Sequence, residues 1–358
     1  MRSLPALLMA LLVLGGCASQ PAVMRYHVPA EPLVWPQAPE PPRYRLRGIL
    51  TGEDNFHRPP SSAESFKQAL AWVVGLVLGE EPPQRLQKPI AGLFDARTGR
   101  TYVVDMGQRA VFVFDPAAGR VAIWRHASAD AGFVAPVAIA PGPAGELWVT
   151  DAERGRITRL DVQGNVLGEV GAGVLQRPTG IARDEENGRI FVADTRAHDI
   201  KVFADDGRLL ARWGGRGEQP GQFNGPTHLA FAGGRLYVAD TLNSRVQVFS
   251  GAGQWLRSFG RRGIYFGDTP RPKGVALDGA GRVYVVESYY DYLLVYDAEG
   301  RLLLPMGGTG SKPGQFYLPA GVWTDGGNEV FVADMFNGRV VSFEYIGEDA
   351  TAPGGGGQ

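Results

Sequence analysis

One sequence unit recurs six times along this chain, and its period limits the fold more than any other feature. In the copy at Arg235–Phe249, an apolar run ends in an acid, four small or polar residues follow, and a second run alternates apolar and polar residues. Such a pattern is typical of a hairpin of two β-strands. The terminal acids of the six copies are spaced 43 to 47 residues apart and are Asp105, Asp151, Asp194, Asp240, Glu287 and Asp334.

This period predicts an all-β chain folded as a six-bladed β-propeller, with four antiparallel strands in each blade. A single sheet of that size cannot bury both of its faces, so it has to pack against neighbours around an axis. The one departure that we expect from this plan is a helical insertion before blade 1.

The opening and linking words of the repeat resemble those of the NHL-repeat β-propellers. Three opening words stand at Pro178–Ala182, Pro272–Ala276 and Pro319–Val322, and two links between blades stand at Gly217–Phe223 and Gly310–Phe316. The resemblance extends over the whole repeat region and implies the propeller fold. It implies no single function, because propellers serve as enzymes, binding modules and scaffolds alike.

Composition narrows the classes of function. Apolar residues make up 44% of the 358 residues and charged residues 20%, with a formal net charge of −1. A chain so nearly neutral lacks the excess of cations that nucleic-acid binding requires. Its single cysteine excludes an internal disulfide framework and a c-type haem site. We therefore predict a large buried core and no nucleic-acid partner.

Residues 1–17 are typical of a bacterial lipoprotein signal peptide. A basic start at Arg2 is followed by an apolar stretch and by Leu14–Cys17, which resembles a lipobox. The resemblance implies that Cys17 is lipidated and that acyl chains attach the protein to a membrane. Ala18 rather than an Asp follows the cysteine, which by resemblance to the sorting of enterobacterial lipoproteins implies the outer membrane of the cell envelope, with the protein facing the periplasm. The alternative is a buried free cysteine in a signal that is cut elsewhere.

Counting along the repeat places the ends of the propeller at residues 43–347. Residues 18–42 hold seven prolines and are predicted to form an extended tether. In five blades an apolar residue of an outer strand lies 19 positions after the acid, but in the sixth that position is Pro353. Residues 43–50 are therefore predicted to supply the missing strand and close the ring. Residues 348–358 are predicted to be a flexible tail.

An insertion at residues 51–88 has no counterpart in the other blades. Within it, a capping word at Ser61–Glu64 and a run of helix formers predict a helix over residues 62–79. Apolar residues, Trp72 among them, cover most of the circumference of that helix, and their run is too short to span a bilayer. Two alternatives follow: the helix packs on its own propeller, or it presents a surface to a partner or a membrane.

Departures from the repeat indicate where a ligand or partner binds. The residue two positions after the opening proline is glycine or alanine in five blades, and His228 replaces it in the fourth. Cations, an imidazole and aromatic rings on one face suit a small anionic or sugar-like ligand, or a partner loop. The predicted binding residues are Thr179, Thr227, His228, Lys273, Tyr289, Tyr290 and Trp72.

Each of these residues also has an ordinary structural explanation. His228 is equally explained as a hydrogen-bonded residue that lines the channel. The tyrosines of the blade 5 turn, Tyr289–Tyr292, are equally explained by packing against the inserted helix. Acid and arginine residues that recur at the same offset are predicted to form structural ion pairs or turn hydrogen bonds. These pairs are Asp151/Arg156, Asp240/Arg245 and Asp334/Arg339.

The sequence assigns no catalytic residue, cofactor or metal. Equivalent positions of the blades supply one histidine and otherwise glycine or alanine, so no set of three histidines can be assembled. No catalytic sequence motif such as a nucleophile elbow or a P-loop occurs. We predict a lipid-anchored envelope module that binds or scaffolds an envelope protein, serving an assembly or export system. The alternatives are a hydrolase or lyase acting on a small ester, sugar or peptide in the central channel, and a purely structural tethering protein.

Overall fold

The computed structural model describes residues 22–57 and 82–347 of the chain. The lipobox with Cys17, the predicted helix with Trp72 and the predicted tail lie outside these ranges. The described residues form strands and loops with four short 3-10 helices. These helices are Glu53–Asn55, Pro143–Gly145, Thr241–Asn243 and Met335–Asn337.

Four strands precede the first complete blade: β1 (Val23–Met24), β2 (Val34–Trp35), β3 (Tyr44–Leu50) and β4 (Phe56–His57). Blade 1 contains β5 (Pro89–Asp95), β6 (Arg100–Asp105), β7 (Ala110–Asp115) and β8 (Arg120–Trp124). Blade 2 contains β9 (Pro136–Pro141), β10 (Leu147–Asp151), β11 (Arg156–Leu160) and β12 (Val166–Val170). Blade 3 contains β13 (Pro178–Asp184), β14 (Arg189–Asp194), β15 (Asp199–Ala204) and β16 (Leu209–Gly214).

Blade 4 contains β17 (Pro226–Ala232), β18 (Arg235–Asp240), β19 (Arg245–Ser250) and β20 (Trp255–Phe259). Blade 5 contains β21 (Pro272–Leu277), β22 (Val283–Glu287), β23 (Tyr292–Tyr296) and β24 (Leu302–Gly307). Blade 6 contributes β25 (Val322–Thr324), β26 (Glu329–Asp334) and β27 (Arg339–Tyr345). Neighbouring strands of every blade pair antiparallel, which confirms the predicted all-β six-bladed propeller. The predicted helix of the insertion, residues 62–79, lies outside the described residues.

Each blade buries both of its faces, which explains why the second strand of the repeat is apolar throughout. In β18, Leu236 and Val238 point to one side and pack with residues of blade 3. Tyr237 and Ala239 alternate with them and pack with residues of blade 5. Because successive side chains of a strand point to opposite faces, a strand between two neighbours needs apolar residues at every position.

The first long strand closes the ring as the outer strand of blade 6. β3 pairs with β27 in a register that places Ile49 opposite Val341. Tyr44 at its start is buried, and its hydroxyl group lies 3.1 Å from that of Tyr284 in blade 5. The strand from the beginning of the chain therefore fastens the last blade, and the edge of β27 is covered.

The prediction that residues 18–42 form an extended tether is wrong for residues 22–42. β2 adds a fifth strand to blade 6 beyond β3, and β1 pairs with β4 of the insertion. The ring of Trp35 packs edge-on against Phe343 with their centroids 5.3 Å apart. A short paired strand and one half-buried aromatic side chain hold this proline-rich segment on the propeller, because the edge of β3 offers backbone groups that need partners.

Small residues let the inner strands meet at the centre of the ring. A Cβ atom on Gly180 would lie 2.3 Å from the carbonyl oxygen of Thr227 in the next blade. At Gly321 it would lie 2.4 Å from the carbonyl oxygen of Ile90. Neither glycine has a positive φ angle, so the need for glycine comes from the close approach of neighbouring backbones.

The close contact between neighbouring backbones predicts that one added methyl group at a central glycine destabilises the propeller. Gly321→Ala should lower the free energy of unfolding by about 1–3 kcal/mol, because the backbone of blade 1 has to move. Urea denaturation measures the loss. The matched control is Gly327→Ala, where the new Cβ would meet only the Asp325 side chain at 3.4 Å. Equal unfolding midpoints for the two variants would contradict the close packing.

Closure of the ring by β3 predicts that Tyr44, near the start of the chain, contributes as much to stability as a core residue of the blades. Tyr44→Ala should cost about 3–5 kcal/mol of stability, since it removes a buried aromatic side chain. Arg45→Ala, at an exposed side chain of the same strand, should cost about 1 kcal/mol or less. Thermal unfolding of both variants compares the two costs. A Tyr44→Ala variant as stable as the parent would show that β3 does not close the ring.

Candidate functional site

The repeated acids fasten the turns and the blade links to one face, which we call the loop face. Asp194 accepts hydrogen bonds from the backbone N–H groups of Gln176 and Arg177 at 2.8 Å. Glu287 accepts from the N–H of Arg271 at 2.9 Å, in the link that enters the same blade. Corresponding bonds occur at Asp105, Asp151, Asp240 and Asp334. These acids are therefore structural, and they place each turn beside the link of its own blade.

Two of the three predicted ion pairs form. Arg245 and Arg339 bind Asp240 and Asp334 at 2.9 and 2.7 Å. The third ion pair does not form, because Arg156 binds Glu169 at 2.6 Å on the neighbouring strand β12. Asp151 accepts a turn hydrogen bond from the N–H of Arg154 at 3.2 Å.

Blade 3 has an aspartate where blades 4 and 6 have that arginine, and it supplies its cation from another position. The buried Lys201 lies 2.6 Å from Asp194 and 2.7 Å from Asp199. Blade 3 thus neutralises its turn acid by a different residue.

The two threonines predicted to bind a ligand instead join neighbouring blades. Thr179 donates a hydrogen bond to the carbonyl oxygen of Thr227 at 2.9 Å, and Thr227 donates to that of Lys273 at 3.2 Å. Each hydroxyl group also lies 2.7 Å from a second threonine hydroxyl, at Thr195 and Thr241. Their hydrogen-bonding capacity is used within the ring.

His228 extends across the centre of the ring. Both of its ring nitrogens are buried and have no hydrogen-bond partner among the described residues, although the carbonyl groups of Ile90 and Lys273 approach the ring. Burial and, to a smaller extent, the positive charge of Lys273 lower the pKa of His228 to about 4. Ile90 belongs to blade 1, on the opposite side of the ring. His228 is therefore a neutral residue of the centre at physiological pH.

Lys273 is the ionisable neighbour of this histidine. Its side chain is half-buried, and burial lowers its pKa, with a further contribution from Arg271. Within residues 22–57 and 82–347, no carboxylate lies within ion-pair distance of its ammonium group. Lys273 thus carries a positive charge near the channel that the described chain leaves unneutralised.

Tyr289 and Tyr290 lie together, apart from the centre. Tyr289 is 61% exposed, and its ring meets that of Tyr290 edge-on with centroids 4.9 Å apart. Both line a hollow of about 410 Å³, together with Leu242 and Arg271, whereas His228 and Lys273 do not line it. The structure therefore divides the predicted site in two: His228 and Lys273 lie at the channel, and Tyr289 and Tyr290 lie on the surface.

The link between blades 4 and 5 lies beside Tyr289 and Tyr290. Its residues are not among the binding residues predicted from the sequence. Ile264, Tyr265 and Phe266 are exposed by 76%, 72% and 66%. Alignment on the link words would have shown the departure, since the corresponding residues are Glu218–Pro220 and Ser311–Pro313 in the two other links. Three bulky apolar residues thus replace polar residues and proline on the loop face.

Exposed apolar residues continue over three adjacent blades and form what we call the apolar sector. Ile264 and Leu242 line the same hollow as Tyr289. The link that carries Tyr317 is bonded to the turn of blade 5, because the N–H of Leu318 donates to Asp291 at 2.8 Å. The apolar sector consists of Leu242, Ile264, Tyr265, Phe266, Tyr289, Tyr317 and Phe336.

At the turn position two residues after the acid, the opposite half of the loop face carries no apolar side chain, although Val134, at the link position equivalent to Tyr317, is also exposed. Two residues after the acid, blades 4, 5 and 6 carry Leu242, Tyr289 and Phe336. Blades 1, 2 and 3 carry Gly107, Glu153 and Arg196 there. An exposed apolar patch that is rimmed by polar residues is typical of an interaction surface.

Cations rim the apolar sector. Arg262 and Arg271 are exposed, and so are Lys88 and Lys312 on the neighbouring links. None of the four has a carboxylate within ion-pair distance in the part of the chain that the structure describes, whereas Arg261 pairs with Asp268 at 2.8 Å. The surroundings of the apolar sector are therefore positive.

The described residues supply neither a metal site nor a membrane span. No group of three or more histidine, cysteine or acidic side chains in residues 22–57 and 82–347 has the arrangement to hold a metal ion. In the same ranges, no helix has the length and apolar content needed to cross a bilayer.

Comparison with known sequences identifies the repeat. The family model of the NHL repeat matches residues 175–203 and 223–249, which contain the first three strands of blade 3 and the hairpin of blade 4. The NHL repeats identified in this way lie in blades 3 and 4. Among curated proteins, none matches this chain in sequence.

Solved structures show the same fold in proteins of different function. Virginiamycin B lyase from Staphylococcus aureus is 15% identical, with a TM-score of 0.53 over 73% of this chain and 96% of that one. An auxiliary nutrient binding protein from Bacteroides thetaiotaomicron is 13% identical, with a TM-score of 0.58 over 73% and 69%. Hydrazine synthase of Kuenenia stuttgartiensis is 13% identical, with a TM-score of 0.52 over 75% and 99%. At such identities the likeness shows the fold alone.

The lowered pKa of His228 predicts that the stability of the propeller depends on pH. Because its folded pKa is about 4 and its usual value 6.5, the unfolded state binds more protons between these values. Protonation of His228 therefore does not lower the free energy of unfolding above pH 6.5. As the pH falls from 6.5 towards 4, the free energy of unfolding decreases by about 3 kcal/mol in total.

A variant without the imidazole isolates this contribution. His228→Leu should lose less stability between pH 7 and pH 4 than the parent, and urea unfolding at several pH values gives both curves. Parallel curves for the two proteins would show that the imidazole is not buried in its neutral form.

Proposed function

We propose that this NHL propeller is a lipid-anchored binding or scaffolding module of the bacterial cell envelope, serving an assembly or export system. The observation that carries the proposal is the apolar sector, whose seven members are all exposed on one half of the loop face. Core residues of protein interfaces are enriched in aromatic side chains and in arginine, which this sector and its rim provide. The partner that we propose is a protein of the envelope.

The anchor is proposed from Cys17, where acyl chains would hold the protein on the outer membrane, facing the periplasm. Residues 22–42 pack on the propeller, so only residues 18–21 stand between Cys17 and the part of the chain that packs there, compared with the 25 residues of the predicted tether. The propeller is then held close to the membrane surface, and its partner has to reach the loop face there.

A small anionic or sugar-like ligand at the channel is the second candidate function. Lys273 favours it, because its charge has no carboxylate partner among the described residues and lies beside the unpartnered imidazole of His228. The same geometry would suit the channel of a hydrolase or lyase. The buried imidazole of His228, which the carbonyl groups of Ile90 and Lys273 approach, occupies part of the centre, and this favours the surface over the channel.

The proposed anchor predicts the behaviour of Cys17→Ser. This variant should move from the membrane fraction to the soluble fraction and keep the unfolding midpoint of the parent propeller, because lipid attachment and folding involve separate residues. Fractionation after a high-salt wash and thermal unfolding measure the two properties. A variant that still sediments with membranes would show that lipid is not the main attachment.

The apolar sector predicts where a partner contacts the propeller in cells. A photo-crosslinking phenylalanine analogue placed at Tyr289 or Phe336 should yield a discrete crosslinked protein. The same analogue at Glu153 or Arg196, the equivalent turn positions of the polar half, serves as the matched control. Crosslinks of equal yield from both halves, or from neither, would contradict a binding role of the apolar sector.

A further inference from the structure

The link between blades 4 and 5 keeps the loop geometry of the two other links while it changes their surface. In the other links the side chains of Gln222 and Gln315 accept hydrogen bonds from the N–H groups three residues earlier, at 3.2 and 3.3 Å. In this link Asp268 accepts the equivalent bond from Tyr265 at 2.9 Å. The loop therefore folds without help from its apolar side chains, because other residues at the same positions give the same turn.

The apolar side chains of this link form a ridge, Ile264–Phe266, between two hollows. On one side lies the hollow of about 410 Å³ lined by Leu242 and Tyr289. On the other side lies a hollow of about 270 Å³ lined by Tyr290 and by Tyr292, whose ring meets that of Phe266 edge-on at 5.4 Å. Two hollows of this size each accept one or two side chains, and a ridge between them suits an extended chain.

The charges of the two hollows are unequal. Arg262 and Arg271 line the larger hollow, are exposed and have no carboxylate partner in the described part of the chain. The carboxylates at the smaller hollow are already bonded, Asp268 to Arg261 and Glu287 to backbone N–H groups. An occupant of the larger hollow therefore gains from carrying negative charge.

We propose that the ridge Ile264–Phe266 and its two hollows bind an extended polypeptide segment of a partner protein, in which bulky apolar side chains stand next to carboxylates. This inference rests on the proposed binding function and names the chemistry of its partner. A flat lipid surface would contact the ridge but leave the hollows unfilled, whereas alternate side chains of an extended peptide enter both. The arginines select acidic segments and fix their orientation.

The test selects random twelve-residue peptides displayed on phage against the purified Cys17→Ser protein. The expected result is enrichment of peptides that combine aromatic or large aliphatic residues with Asp or Glu. A synthetic peptide of the enriched sequence then gives a Kd by fluorescence anisotropy. Enrichment of basic peptides, or of apolar peptides without acids, would overturn the proposed chemistry.

The chain itself provides the matched variant. Ile264→Glu, Tyr265→Gln and Phe266→Pro together give this link the residues of the link at Glu218–Pro220. The swapped protein should keep its unfolding midpoint and bind the peptide at least tenfold more weakly. Arg271→Gln should weaken binding several-fold and reduce its dependence on salt. Leu167→Gln, at an exposed residue of the outer strand β12, should leave the Kd unchanged. A Kd that the swap does not change would overturn the proposal.

Other occupants of the ridge give distinct results, and each would overturn the proposal. Sedimentation with phosphatidylglycerol vesicles that the swap abolishes would indicate a lipid surface. A dimer in gel filtration that the swap dissociates would indicate a second copy of the chain. Crosslinks within one chain, from a photo-probe at Tyr265 to residues 58–81, would indicate that the propeller covers its own ridge.

Failure of this inference is distinguishable from failure of the proposed function. A crosslinked envelope protein at Tyr289 together with peptides of the wrong chemistry would leave the binding role intact and overturn the inference alone. No crosslinked protein at the apolar sector, and no peptide that depends on the ridge, would overturn both.

Discussion

The bond between each turn acid and the link that enters the same blade is the contact on which the rest of the structure depends. A buried carboxylate needs several donors, and in this chain the donors are backbone N–H groups just before the inner strand, as at Asp194 and Glu287. The bond fixes where each blade begins and which face its turn occupies. Because it depends on backbone donors, the link residues are free to vary, and three links with different side chains keep one shape.

Packing leaves few places for function in such a ring. Every blade uses both faces of its sheet to contact its neighbours, as Leu236 and Tyr237 do on opposite sides of β18. At the centre, neighbouring backbones meet at glycines, and the hydroxyl groups of Thr179 and Thr227 join successive blades. What varies without cost to the fold is the loop face, which is why loops of rigid scaffolds carry binding residues so often.

The repeat also supplies its own reference, because equivalent positions have the same backbone and differ in side chain alone. By that comparison, the exposed Leu242, Tyr289 and Phe336 are not required by the turn, since Glu153 and Arg196 occupy it elsewhere in the ring. Exposed apolar side chains that folding does not need are best explained by a partner. The cationic rim then adds selectivity for the charge of that partner more than affinity, as charges at the edge of an interface usually do.

The sequence by itself determined the number of blades, the hairpin in each and the strand that closes the ring, because period and alternation follow directly from the order of residues. It also indicated His228, Lys273 and the tyrosines as departures from the repeat. Only the tertiary structure decided that these departures form two places, one at the centre and one on the surface. It also decided that Arg156 binds Glu169, since strand register brings β12 beside it. The packing of residues 22–42 on the propeller was decided at the same level. The apolar sector depends on which loops become neighbours, and that is set by the closure of the ring and not by any local pattern.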